Sequence, residues 1–272
     1  MECNVNNLTV YYESIGEGRP VVLLHGFTPD HRLMTGCMEP IFARRSGYHR
    51  IYPDLPGMGR TKYEEWVNNS DIMLEIVLNF IDSVLPGKNF LLAGESYGGY
   101  LSQGIIQKWP GRLDGLLLLC PLVVADKTKR NRPSHIVIKQ DEELMARLAP
   151  SDADEFASMA VVQSEGIWRR YHDEIMSGIA IADQRIRTQL LNNGYEFTFD
   201  VDRLEHDFVK PTLMVLGRQD ATVGYKDAWN ILDHYPRATF AVLDRAGHNL
   251  QIEQETLFNC LVDEWLDRIE EG

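Results

Sequence analysis

Ser96 stands at the centre of a Gly-x-Ser-x-Gly motif, a pattern that can present a nucleophile. An apolar run over residues 90–93 precedes the motif and a helical pattern begins at Tyr97, so Ser96 is placed on a sharp turn from strand to helix. Gly94 and Gly98 stand two residues to either side, where a side chain would collide with the opposing backbone of such a turn. The turn raises the serine hydroxyl above the end of the strand, and we interpret Ser96 as a nucleophile.

A serine hydroxyl is a weak nucleophile at neutral pH, so it needs a base, and the base needs an orienting acid. Of the eight histidines, His248 alone follows a predicted strand near the end of the chain, which suits the chain order serine, acid, histidine. Asp220 follows the preceding predicted strand and is therefore the predicted acid. Two alternatives stay open for the acid: Asp244, which ends the strand before His248, and Asp126, which follows an earlier strand.

The tetrahedral intermediate of acyl transfer needs two N–H donors for its oxyanion. The amide of Tyr97, at the start of the helix after Ser96, is one candidate. The loop that follows the early apolar strand, in the order His-Gly-Phe, brings the amide of Phe27 as the second. His25 in this loop is interpreted as a structural residue that fixes the loop by hydrogen bonds, and not as the base.

The segment Asp-Leu-Pro-Gly-Met-Gly, which begins at Asp54, also contains Gly-x-Gly after a predicted strand. It lacks the third glycine of a dinucleotide-binding fingerprint, and its Pro-Gly pair is typical of a turn and not of a helix start. We therefore expect no dinucleotide cofactor.

The elements that must position these residues alternate along the chain. Short apolar runs, most of them apolar throughout, alternate with longer segments of helical periodicity, as in a parallel sheet covered by helices on both faces. The predicted strands are residues 8–12, 21–24, 50–52, 90–93, 116–119, 212–216 and 239–243. The predicted helices between them are residues 72–85, 97–109, 226–234 and 253–269.

The alternation stops in the middle of the chain, where helical patterns cover residues 141–148, 151–165 and, with breaks, 167–193. An insertion at the carboxyl end of sheet strands lies over the ligand crevice. We therefore predict a helical lid over residues 122–208 on a core of residues 1–121 and 209–272. Trp168 is the predicted substrate-binding residue of the lid.

The bulk composition excludes several classes of partner. The formal net charge of −13 disfavours binding to nucleic acids and to anionic membrane surfaces, and the one compact basic cluster, residues 127–132, is interpreted as a solvated loop. The longest apolar run, residues 116–125, is well short of the roughly 20 residues that span a bilayer. The four scattered cysteines predict reduced thiols and no structural metal, and the N-terminal residues have no secretory pattern, which predicts a cytoplasmic protein.

Five motifs in order resemble the α/β-hydrolase superfamily, in particular its small lid-bearing enzymes. They are His-Gly-Phe at His25, Asp-Leu-Pro-Gly-x-Gly at Asp54, Gly-x-Ser-x-Gly-Gly at Gly94, Gly-x-x-Asp at Gly217 and Gly-His at Gly247. The resemblance implies an eight-stranded, mostly parallel sheet flanked by helices, covalent catalysis without metal or cofactor, and a four-helix lid that contributes the substrate pocket.

The expected function is that of a serine hydrolase that cleaves a small, largely apolar carboxylic ester through an acyl-enzyme. Ser96 is unlike the aspartate nucleophile of dehalogenases and epoxide hydrolases, and Tyr100 replaces the arginine that follows Gly-Gly in the menaquinone-pathway members. The superfamily hosts many reactions, so a C–C bond hydrolase, an aminopeptidase or an inactive receptor for a small ligand stay open.

Overall fold

The computed structural model describes residues 1–272, except for the side chain of Asn193. Eight strands form one sheet: β1 (Glu2–Val5), β2 (Leu8–Ile15), β3 (Arg19–Leu24), β4 (Tyr48–Pro53), β5 (Phe90–Glu95), β6 (Leu113–Leu119), β7 (Thr212–Gly217) and β8 (Ala238–Leu243). Their order is β1-β2-β4-β3-β5-β6-β7-β8, with β1 and β2 antiparallel to their neighbours and the remaining pairs parallel. All seven predicted strands are confirmed.

The helices are α1 (His31–Phe42), α2 (Ser70–Val84), α3 (Tyr97–Lys108), α4 (Glu142–Arg147), α5 (Pro150–Met159), α6 (Glu165–Tyr171), α7 (Ser177–Ile179), α8 (Gln184–Asn193), α9 (Lys226–Asn230), α10 (Leu250–Glu253) and α11 (Glu255–Glu270). Turns of 3₁₀-helix lie at Pro110–Arg112 and Leu232–His234. Helix α2 packs beside α3 and α1 beside α11, and these helices flank the sheet. The predicted eight-stranded α/β fold is therefore confirmed.

Helix α1 and strand β1 are absent from the prediction. Helix α1 contains Gly36 and Pro40, which are poor helix formers. It nevertheless carries an apolar repeat at helical spacing, and Asp30 caps its first turn by accepting a hydrogen bond from the Arg32 amide at 3.0 Å. The repeat and the cap were sufficient signals for this helix. Strand β1 is short and mostly polar, and its pairing with β2 defines it.

Helices α4 to α8 all lie between β6 and β7, which confirms an inserted helical segment. A π-helical turn, His172–Met176, joins α6 to α7. In the described part of the chain, the insertion has one isolated β-bridge, between Lys139 and Val162. The lid boundaries at residues 122 and 208 remain a prediction.

The core lies between the sheet and its helices, and strands β5 and β7 are buried along their whole length. The last helix contributes the largest fully buried side chain, Trp265, whose indole Nε1 donates to the carbonyl of Pro211 at 3.1 Å. This bond ties α11 to the start of β7. None of the described helices combines the length and apolar character needed to cross a membrane.

Replacement of Trp265 by alanine should lower the free energy of unfolding by about 3–5 kcal/mol, because it empties a large buried site and removes an indole donor. Leu257 on the same helix is 48% exposed, so Leu257→Ala is the matched control and should change stability by less than about 0.5 kcal/mol. Urea denaturation followed by circular dichroism measures both. Equal losses would show that α11 is not anchored through Trp265.

Candidate active site

The parallel strands end at one edge of the sheet. The registers place Leu24 beside Gly94, Glu95 beside Leu119 and Gly217 beside Leu243. From β3 the chain moves to β4 on one side and then to β5 on the other, so the sheet has its topological switch point between β3 and β5. Ligand sites of open α/β sheets form at such a point, outside the carboxyl ends of the strands.

Ser96 joins β5 to α3 in a conformation that L-residues rarely adopt, with φ at 51° and ψ at −112°. A Cβ at Gly94 would collide with the carbonyl of Gly98, and one at Gly98 would collide with the carbonyl of Leu24. The Ser96 amide donates to the Leu119 carbonyl at 3.0 Å. Both glycines are thus required by close backbone approach, and β6 helps to hold the strained turn.

The structure brings the three predicted side chains together. Nε2 of His248 lies 2.9 Å from Oγ of Ser96, and Nδ1 of His248 lies 2.9 Å from Oδ2 of Asp220. The other oxygen of Asp220 accepts the amides of Thr222 (2.8 Å) and Val223 (3.0 Å). Each group therefore has a partner that fixes its orientation.

The two alternative acids lie elsewhere. Asp244 is exposed and accepts a hydrogen bond from Nε2 of Gln219 at 2.8 Å. Asp126 accepts from the amide of Thr128 and pairs with Nζ of Lys129 at 3.3 Å. Asp220 is thus the aspartate that contacts His248.

Burial disfavours the charged forms of His248 and Asp220, but their partners outweigh it. It lowers the pKa of His248, but the carboxylates of Asp220 and Glu95 outweigh it and raise the pKa to about 9. Burial raises the pKa of Asp220, but His248 and two backbone amides outweigh it, so this pKa is below its ordinary value. Asp220 is therefore an anion that stabilises a protonated His248.

Glu95 is a buried group of the site that the sequence reasoning missed. Its side chain is 2% exposed, and its Oε1 lies 3.3 Å from Nε2 of His248. Burial raises the pKa of Glu95 to about 7, although the charge of His248 opposes this. A glutamate at the end of a buried apolar strand is costly to desolvate, and this was the signal that could have found it.

The amides of Phe27 and Tyr97 face no hydrogen-bond acceptor among the described residues. Phe27 lines the cavity at Ser96, and the rings of Phe27 and Tyr97 pack edge to face with centroids 5.4 Å apart. Tyr195, from the inserted segment, packs on both rings. This aromatic cluster holds the two loops that carry the predicted oxyanion donors side by side.

His25 is completely buried and joins two loops. Its Nδ1 contacts the carbonyl of Gly26 at 2.7 Å, and its Nε2 accepts the amide of Leu55 at 3.0 Å. Burial lowers the pKa of His25, which keeps the ring neutral. The predicted structural role of His25 is confirmed.

A cavity of about 420 Å³ lies above Ser96. Its walls include Met159, Tyr171, Ile175 and Ile179 from the insertion. Trp168 is not part of these walls, because its ring packs edge to face on Phe156 with centroids 5.2 Å apart. The structure thus does not bring Trp168 to the other predicted site residues.

Glu253 links the insertion to the histidine loop and was also missed by the sequence reasoning. Its Oε1 accepts the amides of Val161 (2.6 Å) and Val162 (3.1 Å), and its Oε2 accepts the amide of Gly247 (2.5 Å). Burial raises the pKa of Glu253 to about 7, while the three amides oppose this. Val161 and Val162 are 92 and 91 residues away in sequence, so no local pattern could reveal this link to the insertion.

Two groups in the described structure have the spacing of metal ligands. Cys120 lies beside Asp220 and His248, and Asp30 and His31 lie beside Asp54. In the second group, the Arg32 guanidinium forms an ion pair with Asp30. Asp54 accepts hydrogen bonds from His31 and from the amide of Arg60. These carboxylates already have protein partners, so neither group is assigned to a metal.

A strand-to-helix serine turn at the switch point of an eight-stranded sheet, with histidine and aspartate on later strand ends, defines a hydrolase of the α/β fold. Residues 21–259 match the model of the family described as "Alpha/beta hydrolase family". The chain belongs to this family.

Its relatives carry several functions. A solved α/β superfamily hydrolase from Oenococcus oeni PSU-1 is 32% identical, with 99% of both chains covered and a TM-score of 0.89. The AB hydrolase superfamily protein YisY of Bacillus subtilis (strain 168) is 26% identical, with 94% of each chain covered. A pimeloyl-[acyl-carrier protein] methyl ester esterase of Aeromonas salmonicida (strain A449) is 27% identical over 89% of this chain and 92% of that protein. Relatives at 23–24% identity include a 2-hydroxy-6-oxo-2,4-heptadienoate hydrolase and a proline iminopeptidase.

Substitution of Asp220 by asparagine should lower the pKa of His248 from about 9 by about one unit or more, because a carboxylate in contact shifts a pKa by about 1–3 units. NMR titration of the imidazole measures this without any substrate. Asp244→Asn is the matched control and should leave the midpoint unchanged, since Asp244 bonds to Gln219. An equal shift in both variants would contradict the pairing.

Proposed function

We propose that this hydrolase cleaves small carboxylic esters through an acyl-enzyme on Ser96. The observation that carries the proposal is the chain of contacts from Ser96 to His248 to Asp220, each 2.9 Å long, at the floor of a 420 Å³ cavity. A small-molecule substrate is the proposed partner.

In the proposed reaction, Oγ of Ser96 attacks the ester carbonyl as its proton passes to Nε2 of His248. The amides of Phe27 and Tyr97 donate to the oxyanion, and Asp220 stabilises the imidazolium. Collapse of the intermediate breaks the ester bond, and the alcohol leaves with the proton from His248. Water then attacks the acyl-enzyme with His248 as base, which releases the carboxylic acid and restores Ser96.

The residues that line the cavity support the proposal that it binds an acyl chain. Its apolar side chains come from both the core and the insertion: Leu33, Leu122, Met159, Ile175, Ile179 and Val223. An alkyl chain in contact with such walls is removed from water, and each methylene contributes about 0.8 kcal/mol at best. The methyl ester esterase among the relatives also supports the proposal of ester cleavage.

Ser96→Ala should lower kcat by about 10³-fold or more, because it removes the hydroxyl that lies 2.9 Å from Nε2 of His248. A fluorophosphonate should label one residue in the wild-type protein, Ser96, as mass spectrometry of the peptides would show. Ser102 on the neighbouring helix is buried and bonds to the Gly98 carbonyl, so Ser102→Ala is the control that keeps labelling. Labelling of another residue would reject the proposed nucleophile.

A series of p-nitrophenyl esters from acetate to decanoate should give kcat/KM values that rise by a few-fold per carbon until the cavity is full and then fall. The finite cavity volume is the reason for the peak.

Two other outcomes would replace the ester proposal. Slow turnover of the whole series, with efficient cleavage of a vinylogous diketone or of a peptide with N-terminal proline, would indicate a C–C bond hydrolase or an aminopeptidase. Binding without turnover of any activated ester would indicate a receptor.

A further inference from the structure

The basic segment at residues 127–132 lies at the cavity of Ser96. Lys127 and Arg130 line the 420 Å³ cavity together with Ser96. The same two residues, with Arg132, line an adjoining cleft of about 700 Å³. Tyr195 also lines both the cavity and the cleft. Lys127 and Arg130 therefore form a basic wall that continues from the cleft to the cavity.

Arg130 is held in place by uncharged partners. Its Nε donates to the Val124 carbonyl at 2.8 Å, one Nη to the Ala125 carbonyl at 2.8 Å and the other to the Thr222 carbonyl at 3.2 Å. A guanidinium has five N–H groups, so each Nη keeps one N–H free. Thr222 also donates to Asp220, which fixes the free N–H groups relative to the proposed triad.

This guanidinium has no carboxylate within 4.0 Å in the part of the chain that the structure describes. Arg130 is half-buried, and burial lowers its pKa, with the neighbouring cation Arg132 adding to the effect. Asp220 and Asp227 attract Arg130 from a greater distance and raise its pKa in part. A desolvated cation with no carboxylate in contact is still unfavourable, and an anionic ligand would offset that cost.

The other charged groups of the two spaces leave this wall positive. Asp126 is paired with Lys129. Glu155 accepts from the Tyr171 hydroxyl at 3.3 Å, and Glu95 contacts His248, so both acids have other partners. Glu196 lines the cleft, and Arg187 adds a cation to the cavity. The formal net charge of the whole chain is −13, so this concentration of cations contrasts with the overall charge. Such a local contrast favours the binding of an anionic ligand.

We propose that the substrate carries an anionic group, a carboxylate or a phosphate, which binds to Arg130 while Lys127 attracts it at the entrance. This inference rests on the proposed ester hydrolysis and specifies its substrate class. The acyl chain contacts the apolar walls and its anionic end meets the fixed guanidinium. Charged groups at a cleft steer such a substrate, so the effect weakens with salt.

The test compares mono-p-nitrophenyl esters of the dicarboxylic acids from succinate to suberate with the neutral p-nitrophenyl esters of equal chain length. The best monoester should exceed its neutral partner in kcat/KM by about tenfold or more at low salt, since a charge-assisted hydrogen bond is about twice as strong as a neutral one. A 4-phosphonobutanoyl ester in the same assay distinguishes phosphate from carboxylate as the preferred anion.

Arg130→Gln should reduce this preference about tenfold, where the preference is the ratio of kcat/KM for the monoester to kcat/KM for the neutral ester in the same variant. Lys127→Gln should reduce it less and mainly at low salt, and it tests the inference even if the Arg130 variant fails to fold. Lys129→Gln is the matched control, because Lys129 belongs to the same segment but pairs with Asp126 and lines neither space. It should leave the preference unchanged.

The outcomes separate this inference from the proposed function. Turnover of neutral esters with no preference for monoesters, or a preference that survives both Arg130→Gln and Lys127→Gln, overturns the anion site and leaves ester hydrolysis standing. If no ester reacts, the proposed function fails, and protection of Ser96 from the fluorophosphonate by adipate then tests the site. Protection that Arg130→Gln abolishes supports it, and absence of protection in the wild-type protein rejects it.

Discussion

The close approach of three backbone segments at Ser96 is the constraint on which the site depends. A left-handed φ at a residue with a side chain costs about 1–3 kcal/mol, and it persists only where the surroundings hold it. Here β5, α3 and the end of β3 meet at distances that two glycines alone allow. The same geometry lifts the hydroxyl out of the sheet and leaves the Tyr97 amide without a helical acceptor, so one local strain positions both the proposed nucleophile and a proposed oxyanion donor.

The cluster of buried ionisable groups is the second feature that the fold imposes. Asp220 keeps its charge because His248 and two amides compensate for burial, whereas Glu95 has one close cationic partner and its pKa is raised to about 7. His248 responds to both carboxylates, with a pKa raised to about 9 in spite of burial. A negative charge on Glu95 therefore favours the imidazolium form of His248, and the protonation states of these two side chains are coupled.

The insertion is part of the site because side chains on both sides connect it to the core. Glu253 joins the amides of Val161 and Val162 to that of Gly247, next to His248. Tyr195 packs on Phe27 and Tyr97. Movement of the insertion would thus displace both the loop of His248 and the loops of the proposed oxyanion donors. The cavity walls and these connections therefore belong to one structural unit.

The sequence by itself determined seven of the eight strands, because runs of apolar residues that helices must cover are visible without any knowledge of contacts. It also predicted that Ser96, Asp220 and His248 lie together, because each follows a strand and parallel strands end at a common edge. Helix α1 was lost to Gly36 and Pro40, although its apolar repeat was readable. Only the tertiary structure decided that Glu95 faces His248, that Arg130 meets three carbonyls at the cavity, and that Trp168 packs on Phe156. These outcomes depend on which side chains distant segments bring together, and that information is absent from local periodicity and motif spacing.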